Sequence, residues 1–252
     1  MTKSVHILGV RVHSLTMEEV VAKVQEFVDN GTPHHIVTLN PEFLVQAHDD
    51  PQFRNVLNAA HLALADGAGL IWAARFQGSP LRARTPGVDV VRHLAGLSAH
   101  RGYRLFFLGA KRGVAATAAK ILEMENPGLL VAGTHDGSPS PEEEKNIVAQ
   151  IRAAAPHILF VAYGAPQQEF WIKRNMEALG VPMVMGVGGT LDYISGVVRR
   201  APVPMQRLGL EWAFRLASQP WRWRRMLRLP RFVALLLASR QPTHHSSVRN
   251  GP

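Results

Sequence analysis

Up to about residue 190, short apolar runs alternate with longer stretches in which apolar and polar positions recur at helical spacing. The runs fall at residues 5–8, 35–39, 62–65, 103–108, 129–132, 158–163 and 182–187. Most are apolar throughout, which is the pattern of strands covered on both faces of a parallel sheet. The stretches between them carry helix-start signals. Thr16 and Glu19 are spaced as a capping box before VVAKVQEFV. Ser140 and Pro141 precede three glutamates, where acids complement the positive end of a helix. Strands alternating with helices predict an α/β fold, a Rossmann-like, mostly parallel sheet with flanking helices.

The pattern changes after Arg200. Pro202, Pro204, Pro220, Pro230 and Pro242 divide the chain into helical pieces expected at 205–218, 221–229 and 232–239, with no β-run. The last residues, PTHHSSVRNGP, are polar and expected to be disordered. The chain is thus expected to comprise an α/β body (1–198), a small helical appendage (199–240) and a tail (241–252). Its longest apolar run, residues 232–238, is seven residues. A membrane-spanning helix needs about 20, so no crossing is expected.

Charge sharpens that division. The 252 residues carry a net charge of +9, yet residues 1–198 hold 17 Lys and Arg against 18 acids. From residue 199 onward there are 11 arginines and one acid, Glu211. The basic excess therefore belongs to the appendage, whose centre reads WRWRRMLRLPRF. Arginine interleaved with tryptophan suits a nucleic-acid groove, a membrane surface or a solvated basic helix. The neighbouring ALLL run argues for a membrane surface, because interfacial helices pair Trp, Phe and Leu with Arg. With 46% hydrophobic residues the body can bury a sizeable core. The absence of cysteine excludes disulfides and thiolate chemistry and fits a reducing compartment.

Ligands of an open parallel sheet bind beyond the carboxyl ends of its strands. Thr38 and Asn40 leave one strand, and Asn40 reads equally as the cap of a helix beginning at Pro41. Asp66, beside Gly67 and Gly69, reads as a general base or as the cap of a helix over Ala68–Phe76. Gly109 opens a strand–turn–helix of nucleotide-binding type without a complete glycine motif, leaving a helix N-terminus available for phosphate. Asp136 ends the next strand in the same manner. Gly164, Pro166, Gln168 and Glu169 begin a further helix, and Gly188, Gly189 and Asp192 form a glycine turn followed by a carboxylate. Each has a bland alternative as a cap, turn or dipole partner, but their common position favours one crevice. No HExxH, D-x-D or GxSxG pattern occurs, so neither a metal site nor a serine nucleophile is expected.

Taken together, TLNPEFL, LADGAGL, RTPGVDVV, GTHDG, VAYGAPQQEFWI, GVGGTLDYISG, RRAP and GLEWAFRL resemble the WecG/TagA/CpsF glycosyltransferase family over nearly the whole chain. The resemblance implies a metal-independent, inverting enzyme with no cofactor, acting at the cytoplasmic face of the bacterial inner membrane. Its donor would be a UDP-sugar such as UDP-N-acetylmannosamine or UDP-glucose. Its acceptor would be a sugar linked to undecaprenyl diphosphate in cell-surface polysaccharide or exopolysaccharide synthesis. Asp66 would be the base, with Thr38 and Asn40 beside it. Gly109, Asp136, Gly164, Gln168, Glu169, Gly188, Gly189 and Asp192 would hold substrate. Arg215, Arg222 and Arg225 would contact the anionic membrane or a diphosphate. A homo-oligomer stays open. The alternatives are a sugar-nucleotide-binding protein without catalysis and a nucleic-acid-binding protein with a basic tail.

Overall fold

A computed structural model describes residues 3–239. The chain opens with an antiparallel hairpin, β1 (Ser4–Ile7) and β2 (Val10–His13), followed by α1 (Met17–Asn30). β3 (His34–Leu39), α2 (Pro41–Asp49), α3 (Pro51–Ala59), β4 (Leu62–Ala65) and α4 (Ala68–Phe76) come next. Then follow α5 (Gly87–Arg101), β5 (Arg104–Gly109), α6 (Val114–Glu125), β6 (Leu130–His135) and α7 (Pro141–Ala154). β7 (Ile158–Ala162), α8 (Gln167–Leu179), β8 (Met183–Gly186) and α9 (Thr190–Ile194) complete the body. The basic segment forms α10 (Val203–Arg207), α11 (Glu211–Ser218), a 3₁₀ turn at Pro220–Arg222, α12 (Trp223–Met226) and α13 (Arg228–Ser239).

Six strands form one sheet in the order β4-β3-β8-β7-β5-β6, and every pairing in it is parallel. Strand side chains alternate between two covered faces. Ile36, Phe107, Phe160 and Met185 meet α1, α5, α6 and α9 on one side. On the other, Val37, Leu39 and Ala63 meet the hairpin and α2–α4, while Leu108, Val161 and Val184 meet α7 and α8. Burying each such side chain stabilises the fold by roughly 1.5–3 kcal/mol, which is why both faces read as continuously apolar. Thr16 closes the expected capping box with Glu19 at the start of α1.

Three expectations are corrected. The run at 5–8 does not join the parallel sheet, because Leu8 and Gly9 both take positive φ and turn the chain back into β2. That pair of left-handed residues makes a tight hairpin whose Val10 and Val12 pack inward. The piece expected at 205–218 is broken at Gly209, which takes φ +72° and approaches Ala68 so closely that a side chain there would collide. Pro230, expected to separate two helices, lies in the first turn of α13, where a missing N–H leaves no helical bond unmade.

The basic segment packs on the body. Phe232 and Leu236 of α13 are buried in the same cluster as Phe43, Leu44 and Leu70. Arg231 grips Asp49 with two bonds of 2.6 and 2.7 Å, and Arg225 reaches Glu42 at 3.1 Å. Among the described residues no helix is long and apolar enough to cross a membrane. The tail expected at 241–252, with Arg240, lies outside the described residues.

Candidate active site

The carboxyl ends of the sheet and the basic segment enclose a crevice of about 1110 Å³. A pocket for one drug-sized ligand holds about 300–1,000 Å³, so this crevice stands at the upper end of that range. Thr38, Asn40, Asp66, Asp136, Gly164 and Gln168 line it, and so do Gly188, Gly189, Asp192, Arg215, Arg222 and Arg225. The topology explains the gathering: the residues of the body lie at or just beyond the carboxyl ends of β3, β4, β6, β7 and β8, all at the same end of the sheet.

Asp66 leaves β4 with its own N–H on the Leu39 carbonyl at 2.9 Å. It does not cap α4; Gly67 occupies that position and no side chain caps the helix. The Asp66 carboxylate instead accepts the N–H of Gly87, at the start of α5. Burial pushes its pKa up to about 6, the Glu211 carboxylate adds to the rise, and Arg84, the Gly87 N–H and Arg200 oppose it. A carboxyl so placed ionises near neutral pH and holds a proton strongly once it has one, as a general base requires. A Cβ on Gly69 would strike Pro41 at 2.7 Å, so this glycine lets the starts of α2 and α4 close together behind Asp66. Thr38 is buried next to it, its hydroxyl 3.4 Å from the Gly186 carbonyl. Asn40 does cap α2, accepting from Phe43 at 3.1 Å, while still lining the crevice.

Positive charge also lines the crevice. Arg215 lies over the Tyr193 ring at 5.2 Å, and its Nε is buried without a hydrogen-bond partner. Arg222 donates to Gln219 at 3.2 Å, but its Nε is likewise buried and unpaired. Burial, then the like charges of Arg215 and Arg225, lower the proton affinity of Arg222. Buried guanidinium groups crowded together and incompletely paired make a site for an anion. Burial also raises the pKa of Asp192, against Lys111, Arg215 and Arg222. Gly189 passes between them: a Cβ there would lie 3.1 Å from Arg215 Nη2 and 3.5 Å from an Asp192 oxygen.

Two expected substrate contacts, Glu169 and Gly109, do not line the crevice, and a third, Gln168, lines it with its side chain already bonded. Glu169 is fully buried beneath the crevice, 2.7 Å from His35 Nε2 and accepting from Gln168 Nε2 at 2.7 Å. Gln168 reaches the crevice wall, but its Oε1 accepts from both Gly164 and Gly188 N–H groups at 3.0 Å, tying two loops together. Gly109 takes φ +91° and lies against the Tyr163 ring, with Ala110 and Lys111 reaching the crevice in its place. At the start of α6, expected to be available for phosphate, Asp136 accepts from the N–H of the cap residue Gly113 at 2.9 Å. Pro166 precedes α8 as its cap, and Gln167 is the first helical residue. Among the described residues no three His, Asp or Glu side chains converge as a metal site.

The profile of the "Glycosyl transferase WecG/TagA/CpsF family" matches residues 5–246. The chain belongs to this family. It is similar, at 34% identity over 228 residues, to the N-acetylglucosaminyldiphosphoundecaprenol N-acetyl-beta-D-mannosaminyltransferase of Bacillus spizizenii, covering 89% of this chain and 88% of that protein. The enzyme of the same name from Bacillus subtilis (strain 168) is 35% identical over 214 residues, 84% of this chain and 82% of its own length. As a member of the family, the chain is a glycosyltransferase.

The residue-by-residue reading of the sequence left several crevice residues without a role. Arg84, Arg200, Lys111, Tyr193, Glu211 and Trp212 all line it. Arg84 lies in RTPG, Arg200 in RRAP and Glu211 in GLEW, so the signal was the motifs themselves. No local pattern says that these three meet.

Proposed function

We propose that the protein moves a sugar, with inversion and without a metal ion, from a UDP-sugar to the sugar of a polyprenyl-diphosphate-linked acceptor. The observation that carries the reading is Asp66, a carboxyl raised to about 6, in one crevice with the incompletely paired guanidinium groups of Arg215 and Arg222. Asp66 takes the acceptor hydroxyl proton as that oxygen bonds to the anomeric carbon. The bond from that carbon to the β-phosphate oxygen breaks, and its electron pair leaves with UDP. Arg215 and Arg222, with Lys111 nearby, stabilise the charge that develops on the departing diphosphate. Gly188, Gly189 and Asp192 flank the nucleotide, and Thr38 and Asn40 orient the reacting groups. The names of the relatives make UDP-N-acetylmannosamine and N-acetylglucosaminyl-diphosphoprenol the first pair to test.

The lipid acceptor gives the basic segment its place. Trp221 and Trp223 are 72% and 53% exposed, beside a row of arginines, which supports peripheral docking on an anionic membrane, at the cytoplasmic face where nucleotide sugars are made. The test is a panel of UDP-sugars incubated with lipid-diphosphate-sugar acceptors and read by mass spectrometry. A product heavier by one N-acetylhexosamine or hexose is expected. No product with any donor would overturn the reading.

A further inference from the structure

The appendage has one acid among its arginines, and that acid points inward. Glu211 begins α11 and accepts from Arg84 Nη1 at 2.5 Å, with its other oxygen 3.5 Å from Arg200 Nε. Arg84 belongs to the loop between α4 and α5, three residues before the Gly87 whose N–H holds Asp66. Arg200 follows α9 and also grips Asp89 through bonds of 2.5 and 3.0 Å. Glu211 therefore joins the appendage to two separate parts of the body beside the reacting carboxyl. Asp66 itself forms no ion pair among the described residues, although the Arg84 and Arg200 guanidinium groups line the same crevice.

We propose that Glu211 is a positioning residue for Asp66: it holds the Arg84 and Arg200 guanidinium groups on the crevice wall, so that Asp66 stays an effective base only while the appendage is seated. This rests on the reading of Asp66 as the base. The groups that face Asp66 are Glu211 from α11, Arg84 from the α4–α5 loop, Arg200 from the segment after α9, Tyr193 from α9 and the Gly87 N–H. Remove Glu211 and two effects act in the same direction. Its negative charge no longer favours the protonated form of Asp66. Arg84, deprived of its carboxylate, is free to pair with Asp66, and a guanidinium beside a carboxylate lowers the carboxyl pKa by about 1–3 units. A less basic Asp66 takes a proton less readily in the transition state. An unseated appendage would have the same consequence.

The test uses the full chain and needs no substrate. The Asp66 carboxyl is titrated by carbon-13 NMR in the parent protein and in Glu211→Gln, with Asp66→Asn assigning the resonance. A midpoint near 6 is expected in the parent, and a midpoint lower by about one pH unit or more in the variant. Glu211→Asp, which keeps the charge, should restore most of the difference. With substrates, the acidic limb of the rate profile should move down alongside the titration, and the plateau should fall by about 3- to 10-fold. Lost turnover with an unmoved midpoint would show that Glu211 merely fastens the appendage and would overturn the proposal. If Glu211→Gln does not fold, Arg84→Gln serves: its Asp66 midpoint should rise, and an unchanged value would equally overturn it. A parent protein that yields no transfer product counts against the proposed function alone, because the titration is read without turnover.

Discussion

A carboxyl raised to about 6 from an ordinary 3.8 is folded against its own preference. The folded state holds the proton more tightly than the unfolded chain, so between those two values the unfolded chain carries fewer protons. Stability contributed at this position is therefore fully present below about pH 4 and is lost as pH rises through about 6. The loss amounts to at most about 3 kcal/mol. Asp66→Asn removes the charge and keeps the shape. Turnover should fall by about 10²–10⁴, while urea unfolding at pH 8 should show a gain in stability of about 1–3 kcal/mol. An unchanged or reduced stability would mean that the burial of Asp66 is relieved by solvent. The rate of the parent enzyme should climb as pH rises through about 6 and level off above it. The sequence ADG is compatible with a cap and with a base alike. Which one holds depends on the Gly87 N–H, contributed by a loop that local pattern does not bring near.

Elements were legible where the apolar pattern was long and failed where two residues decided a turn. Every strand of the parallel sheet overlaps an expected run: five are buried on both faces, while the edge strand β6 is only half-buried and runs on from its apolar start to His135. β2 was hidden because Arg11 interrupts VRVH, and its guanidinium turns out to serve the Asn58 and Ala60 carbonyls at 3.0 and 2.8 Å. Gln168 was read as a ligand contact because a glutamine is a poor choice for a helix start; it lines the crevice and also bridges two loop N–H groups, which is a long-range fact. That bridge depends on Gly186 at the end of β8, where a Cβ would collide with the Glu169 and Gln168 side chains. Gly186→Ala should destabilise the protein by about 1–3 kcal/mol and weaken nucleotide-sugar binding, measured by denaturant titration and calorimetry. On the same face of the sheet, Phe232→Ala removes a buried contact of α13 with α2. Loss of a buried Phe costs about 3–5 kcal/mol, more than a short helical segment can spare. Limited proteolysis should then cut residues 199–231 first, and turnover should fall because Arg215 and Arg222 leave the crevice. Equal protection of the segment in both proteins would count against its role as the closing wall.

At the scale of the molecule, six of the arginines in the basic segment fall into two groups. Arg200, Arg215, Arg222 and Arg225 face the crevice. Arg224 and Arg228 do not line it, and neither do Trp221, Trp223 and Leu227, whose exposed side chains share the same stretch; Arg224 stands 5.4 Å over the Trp223 ring. This outward group is what the proposed membrane contact would use, and separating it from the inward group gives a clean experiment. Replacing Trp221, Trp223 and Leu227 together with serine removes apolar area worth about 2–3 kcal/mol at an interface. Flotation with phosphatidylglycerol vesicles should weaken by about 10- to 100-fold. Turnover on a soluble, short-chain acceptor should stay within about twofold, since none of the three lines the crevice. Binding of the parent protein to the vesicles should also fall as salt rises from 0.1 to about 0.5 M, because surface charge is screened over a shorter distance. Retention on DNA at that salt, with vesicle binding equal in parent and variant, would return the basic segment to the nucleic-acid reading. The residues that decide between the two are apolar, not charged: arginine serves phosphate on a lipid or on a nucleic acid and tryptophan can stack on a base, whereas the exposed Leu227 beside them fits acyl chains better than bases.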